Sequence, residues 1–143
     1  MKTIIMIMKL FNKYKEQILY LFFGVATTIV NWVTYTVSLK VFSLVISNSI
    51  AWLVAIIFAF IVNKLFVFES VDFSFQKTAK EIILFIGARI FSGIFEIAGL
   101  PLLVFIGLNQ TIFGIEGAVA KILISVIVVL SNYIFNKFVI FKK

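Results

Sequence analysis

Cysteine and histidine are both absent from the sequence. Their absence removes thiolate chemistry, disulfides, imidazole general bases and the usual zinc sites, so no metal or cofactor is expected. Acidic residues are scarce as well, six against 13 basic ones. Glu16, Glu69, Asp72, Glu81 and Glu116 fall beside or between the apolar runs, and only Glu96 lies deep inside one. A deep carboxylate with no second one beside it is a poor start for acid–base hydrolysis, and the chain is not expected to be an enzyme. Charge of either sign is thin, 13% of residues against 63% hydrophobic, too little to cover a soluble globule of 143 residues.

What is present is lipid-compatible length. No charge occurs in residues 17–39 or 41–63, and each 23-residue window is long enough to cross a hydrocarbon core of about 30 Å. Two further windows qualify if charges are allowed inside them. The expected architecture is all-α, a polytopic membrane protein with spans at about 18–39, 49–68, 82–105 and 117–138. A basic amphipathic segment, 1–17, precedes the first span and is expected to lie along the headgroups. Four spans use nearly the whole chain as a single transmembrane domain and leave no room for a soluble sugar-nucleotide or ATPase domain.

The excess of basic residues would suggest nucleic acid in a soluble protein, but here the lysines flank the spans and report topology. Ten lysines fall on one side, among them Lys2, Lys64, Lys80 and Lys137, and Lys40 alone falls on the other, with Lys121 just inside it. Both termini should therefore be cytoplasmic, and no nucleic-acid partner is expected.

The third span carries Arg89 and Glu96, seven residues apart and so on one helix face. An ionisable side chain at mid-membrane costs roughly 2.5–3.5 kcal/mol on insertion scales, which makes it a functional-site candidate. Ser92 and Gly93 near the same stripe leave room for a close neighbour. The alternative is that Arg89 and Glu96 only hold helices together. Asn31 sits about halfway along the first span, where an interhelical hydrogen bond competes with ligand contact as its role. In the fourth span Lys121, Ser125 and Asn132 recur at spacings of four and seven, again one face. By helical rise Arg89 and Asn132 come out about 10 Å deep from the inner face, Asn31 and Glu96 near the middle, and Lys121 near the outer face. Arginine suits a phosphate because its planar fork donates two hydrogen bonds, and a lysine at the far end offers a second point charge. Such a ladder suits the passage of a lipid anion.

The spans also repeat. Asn63-Lys64 and Phe68 match Asn136-Lys137 and Phe141 at an offset of 73, and Gly24 matches Gly87 at an offset of 63. Each half holds two spans, so the halves are expected to be parallel repeats. Ala59 then stands opposite Asn132, and the second half holds most of the site. Lys64 is expected to snorkel to the headgroups, and residues 69–80 to form an aqueous loop.

Phe22-Phe23-Gly24 with Thr28 and Asn31, the doubled Asn-Lys ending, Arg89, and Lys121 with Asn132 together resemble the GtrA-like family over about residues 20–141. In size and lysine content the chain is similar to the GtcA-type proteins of Gram-positive wall glycosylation. The resemblance implies a flippase that carries a polyprenyl-phosphate-linked sugar across the bacterial cytoplasmic membrane for teichoic acid or other surface polysaccharide. It sets Arg89, Asn132, Lys121, Glu96, Asn31, Asn63 and Asn136 as substrate-contact candidates. Many members carry Asn where Ala59 stands, so the first half departs from the pattern. The competing reading is a non-transporting subunit that anchors or positions a membrane glycosyltransferase. A small drug or proton antiporter ranks behind both, because the first span lacks a glutamate. Four helices make a thin wall around a sugar headgroup, which a homo-oligomer would thicken.

Overall fold

The computed structural model describes residues 1–114 and 117–142, with the side chains of Leu44 and Glu96 outside the description. It is all-helical, without a β-strand among the described residues: α1 (Lys2–Ser38), α2 (Leu44–Val62), α3 (Phe75–Phe105) and α4 (Ala118–Phe135). Short π-turns, Asn63–Val67 and Asn136–Ile140, extend α2 and α4. Each of the four helices is long and apolar enough to cross a membrane, and large apolar side chains such as Phe22, Trp32, Ile83 and Ile97 face outward. The chain is a multi-pass membrane protein. It divides into two compact units, Met1–Asp72 and Phe73–Lys143, each a pair of helices closed by a π-turn.

In the first unit the packing surface of α2 is a ridge of small residues. Ser47, Ala51, Ala55 and Ala59 recur every four residues and are almost fully buried, and the ridge continues into Asn63. Lipid gives apolar side chains nothing to gain by leaving it, so helices associate in a membrane through close backbone approach and van der Waals contact. A ridge of small side chains provides that approach for α1. In α1, Thr27 and Thr28 bond back to the carbonyls of Phe23 and Gly24 at 2.7 and 3.2 Å, so neither hydroxyl is left dry in hydrocarbon. The second unit achieves the same approach at one glycine. A Cβ at Gly99 would stand 2.8 Å from Ile124 Cδ1, so α3 and α4 nearly touch there.

Each unit ends on an aromatic pair of matching geometry. Tyr20 and Phe68 have ring centroids 6.3 Å apart at 56°, and Phe85 and Phe141 are 6.2 Å apart at 54°. These contacts equate Tyr20 with Phe85, an offset of 65, where the glycine match gave 63. A two-residue slip turns a helix through about 200°, to its other side. The glycine match failed because Phe22 is exposed and Gly24 has nothing within 4 Å of a would-be Cβ, so neither takes part in packing. The packed register also aligns Lys15-Glu16 with Lys80-Glu81.

Two further expectations change. The amphipathic segment and the first span are one helix, bent at Tyr14 (φ −110°, ψ 17°). The expected loop 69–80 is half helix, because α3 already begins at Phe75 and buries Glu81. Mixed charge there marks a helix end with a buried carboxylate, where the pattern was read as loop.

The ridge makes a prediction. Ala51→Leu inserts volume where no space exists and should cost about 1–3 kcal/mol, read as a lower melting temperature in detergent. Leu53→Ala, on the outward face, should leave that temperature close to wild type. Equal shifts in the two variants would show that the ridge does not hold the first unit together.

Candidate functional site

The polar residues that cannot be explained by helix geometry alone gather at the π-turns and on the facing sides of α3 and α4. A π-turn adds a residue to the helix and interrupts its ladder of hydrogen bonds; such turns occur often at functional sites. Here Phe68 N–H donates to the Asn63 carbonyl at 2.9 Å and Phe141 N–H to the Asn136 carbonyl at 2.8 Å, five residues back in each case. Asn63 and Asn136 are buried, and the side-chain oxygen of each has no hydrogen-bond partner among the described residues. Asn63 Nδ2 is held by the Ala59 carbonyl at 2.7 Å.

The two lysines that follow have different fates. Lys64 is 2% exposed and donates to Ser70 Oγ at 3.3 Å and to the Asp72 carbonyl at 2.9 Å. It does not snorkel to the headgroups as expected. The chain reverses at Glu69, a non-glycine residue at positive φ (48°), and Ser70 N–H bonds back to the Lys64 carbonyl at 2.8 Å, which folds the segment over the ammonium. Lys137 instead donates to Tyr133 Oη at 3.3 Å and lies 5.7 Å from the ring centroids of Tyr133 and Phe138.

In the second unit Glu81, Phe85 and Ser92 form the buried stripe of α3. Arg89 is half-buried beside it, and its Cζ lies 5.0 Å from the centroid of the Phe85 ring, one turn nearer the start of α3. That direction follows from the tilt of helical side chains toward the N-terminus. The guanidinium is thus carried toward the end of α3 that holds Lys77 and Lys80, and rests on a ring already packed against Phe141. Contact between a cation and a ring face is worth up to about 2 kcal/mol where water is excluded.

On the other side of Arg89 along α3 a small, partly open cavity of about 50 Å³ lies between α3 and α4. Phe91, Phe95 and Phe135 supply aromatic walls, with Phe91 edge-on to Phe135 at 6.3 Å. Ser92, Ser131 and Asn132 supply polar atoms, and Ala88 and Val128 complete the lining. Asn132 is 5% exposed. Ser92 Oγ also reaches the Arg89 carbonyl at 3.2 Å.

Of the residues singled out in the sequence, Asn132 lines this cavity, while Arg89 directs its charged group elsewhere on the same unit. Asn136 is buried in the second π-turn, one turn beyond Asn132. Lys121 is exposed, about 16 Å along α4 from Asn132 by helical rise. Asn31, half-buried in α1, and Asn63 belong to the first unit. The Glu96 side chain, and with it the expected pairing to Arg89 or Lys121, lies outside the described residues. Sequence reasoning passed over Phe91 and Phe95, whose spacing of four on α3 was visible, and Ser131 and Phe135 on α4, which had no signal of their own.

The transmembrane-domain model of the GtrA/DPMS family matches residues 19–141. The chain is 35% identical over 127 residues to the cell wall teichoic acid glycosylation protein GtcA of Listeria monocytogenes serovar 1/2a, covering 87% of this chain and 83% of that one. It is 37% identical over 127 residues to the protein of the same name in Listeria innocua serovar 6a, with the same 87% and 83% coverage. To the membrane protein YwcD of Bacillus subtilis it is 31% identical over 127 residues, 87% of this chain and 95% of that one. No solved structure matches.

The unlike lysines are separable by mutation. Lys64→Ala strips a buried segment of its donor and should cost about 1.5–3 kcal/mol, the range for hydrogen bonds to a charged group. Lys137→Ala, which removes a half-buried cation from one hydroxyl and two rings, should cost less than Lys64→Ala, about 1 kcal/mol. Thermal unfolding of the two purified variants decides it, and a larger loss at Lys137 would reverse the assignment.

Proposed function

Since the chain belongs to the GtrA/DPMS transmembrane-domain family, we propose that it moves a polyprenyl-phosphate-linked sugar across the cytoplasmic membrane for glycosylation of teichoic acid or another surface polymer. The observation that carries this reading is Arg89: a half-buried guanidinium on a membrane-spanning helix, steered by the Phe85 ring toward the lysine-bearing end of α3. With both termini cytoplasmic, that end meets the inner leaflet. A lipid phosphate sliding between helices there meets a bidentate donor before it meets hydrocarbon.

Arg89 is the principal phosphate contact. Asn132, at about the same depth, stands beside it, Ser92 lies about a turn farther along α3, and Lys121 receives the headgroup near the outer side. Asn31, Asn63, Asn136 and Glu96 are auxiliary polar steps, with Glu96 offering a counter-charge to Arg89 or Lys121 between transport cycles. The names of the Listeria relatives, cell wall teichoic acid glycosylation proteins, support the choice of polymer.

Flipping of a labelled polyprenyl-phosphate sugar by the purified protein in liposomes tests the proposal. Flipping is expected in wild type; binding to a glycosyltransferase without flipping would favour the anchoring reading. Arg89→Lys keeps charge but loses the fork, so surface-polymer glycosylation should fall at least about tenfold at equal membrane abundance, the loss of one charge-assisted hydrogen bond. Lys121→Arg should be tolerated better, because that site is nearer water. Glu96→Gln should impair less than Arg89→Ala, since an amide still hydrogen-bonds. Normal glycosylation by both Arg89→Lys and Arg89→Ala would reduce Arg89 to a packing residue.

A further inference from the structure

The first part of α1 precedes the family match, which begins at residue 19, and holds none of the residues assigned to the substrate. α1 has 37 residues, about 55 Å at 1.5 Å per residue, against a hydrocarbon core of about 30 Å. The charge-free stretch 17–39 fills that core, so the excess length lies before it. Residues 1–15 are all exposed, and the helix bends at Tyr14 before the span begins. On the span side of the bend Lys15 pairs with Glu69 at 3.1 Å, which ties the base of this arm to the segment after the first π-turn. On the other side Lys13 Nζ lies 5.3 Å from the centroid of the Tyr14 ring. The arm therefore need not continue the line of the span.

Its two faces differ in chemistry. Ile4, Ile7, Met8 and Phe11 recur at i, i+3, i+4 and i+7, the spacing of one helix face, and all four are exposed. Lys2, Lys9 and Lys13, at spacings of seven and four, fall within about 40° of one another on the opposite side. Residues 1–15 hold no acidic side chain, so the line of charge has no counter-charge within the arm. Ile5 and Met6 flank the lysines and are exposed too, which leaves little of the surface suited to water. A helix this short is marginal in water by itself, and it persists where something takes its apolar face. The arm is continuous with a membrane span, and the layer it meets on leaving the hydrocarbon is that of the lipid headgroups. That layer offers an acyl boundary to the apolar face and phosphates to the lysines.

We infer that residues 2–13 lie in the headgroup layer of the leaflet at which α1 begins, with anionic phospholipid as their partner. Ile4, Ile7, Met8 and Phe11 face the acyl chains, and Lys2, Lys9 and Lys13 meet the lipid phosphates. Tyr14, an apolar ring with a polar tip, marks the level of the bend. The arm gathers anionic headgroups around the start of α1, and the Lys15–Glu69 pair fixes where along the helix that happens. The inference stands apart from the transport reading, because the arm is not asked to touch the substrate.

The protein lacks cysteine, so Ile7→Cys gives the full-length chain a single attachment point for a fluorophore. The labelled protein is placed in vesicles of mixed phosphatidylcholine and phosphatidylglycerol, with quenching bromine on the acyl chains of one lipid or of the other. Both should quench, phosphatidylglycerol at least about fivefold more strongly per mole, the share of one lysine near an anionic surface. Replacing Lys2, Lys9 and Lys13 together by Gln should abolish that preference, with an unfolding temperature equal to wild type as the check that both units are intact. About 1 M salt, which shortens the screening length to about 3 Å, should abolish it in wild type as well and serves if the triple variant does not insert. Equal quenching by the two lipids in wild type, or a preference that survives both the substitutions and salt, overturns the anionic partner. Absence of quenching by either lipid overturns the headgroup placement, and energy transfer between labelled copies would then assign the apolar face to a second copy of the chain.

Discussion

Two helices in hydrocarbon have no water to expel from between them, so they hold together only where their backbones come close enough for dense contact. Everything else in each unit follows from where that approach is made. In the first, the ridge from Ser47 to Ala59 lets α2 lie against α1, and the last member of the same face, Asn63, opens the π-turn. In the second, α3 and α4 touch at Gly99 and Ile124 and are joined again at Phe85 and Phe141. Between those two fastenings the side chains are three large rings and three small polar groups, and the space they leave is the cavity. The cavity is a by-product of how the pair is tied at both ends.

The two units share a plan and spend it differently. Ala59, buried in the ridge, stands where the second unit has Asn132 at the cavity. Small size serves packing in one unit, and in the other an amide lines the cavity. The lysines divide in the same way. Lys64 is spent on holding the segment 69–72 over its own helix end, while Lys137 remains among aromatic rings at the edge of its unit.

Much of this was legible in the sequence. The four spans were, because charge-free length is a strong signal, and so were the family and the repeated Asn-Lys ending. The start of α3 was not, because Glu81 looks like a loop residue until the fold buries it. Lys64 looked like a snorkelling side chain because nothing in the sequence announces that Ser70 and Asp72 fold back over it. The upstream register was misjudged for a related reason: Leu-Phe-x-Gly is similar in both halves, but it is lipid-facing and carries no packing. Lys-Glu at 15–16 and 80–81 was the better match, hidden because one copy was assigned to the segment before the membrane and the other to a loop. Asn132 was found by its polarity, and its company was not, since Phe91, Phe95 and Phe135 are three among 18 phenylalanines.

The π-turns have one more consequence. Each can be viewed as a single residue inserted into an α-helix, and an insertion shifts the phase of all that follows by about 100°. Phe68 and Phe141 face their partner rings because of that shift. Removing one residue from either turn would restore an unbroken α-helical ladder, a gain in local regularity, while rotating the terminal aromatic away from its partner. At these two places the chain is tuned by its length as well as by its side chains, so a conservative substitution is a smaller disturbance than a deletion that improves the helix.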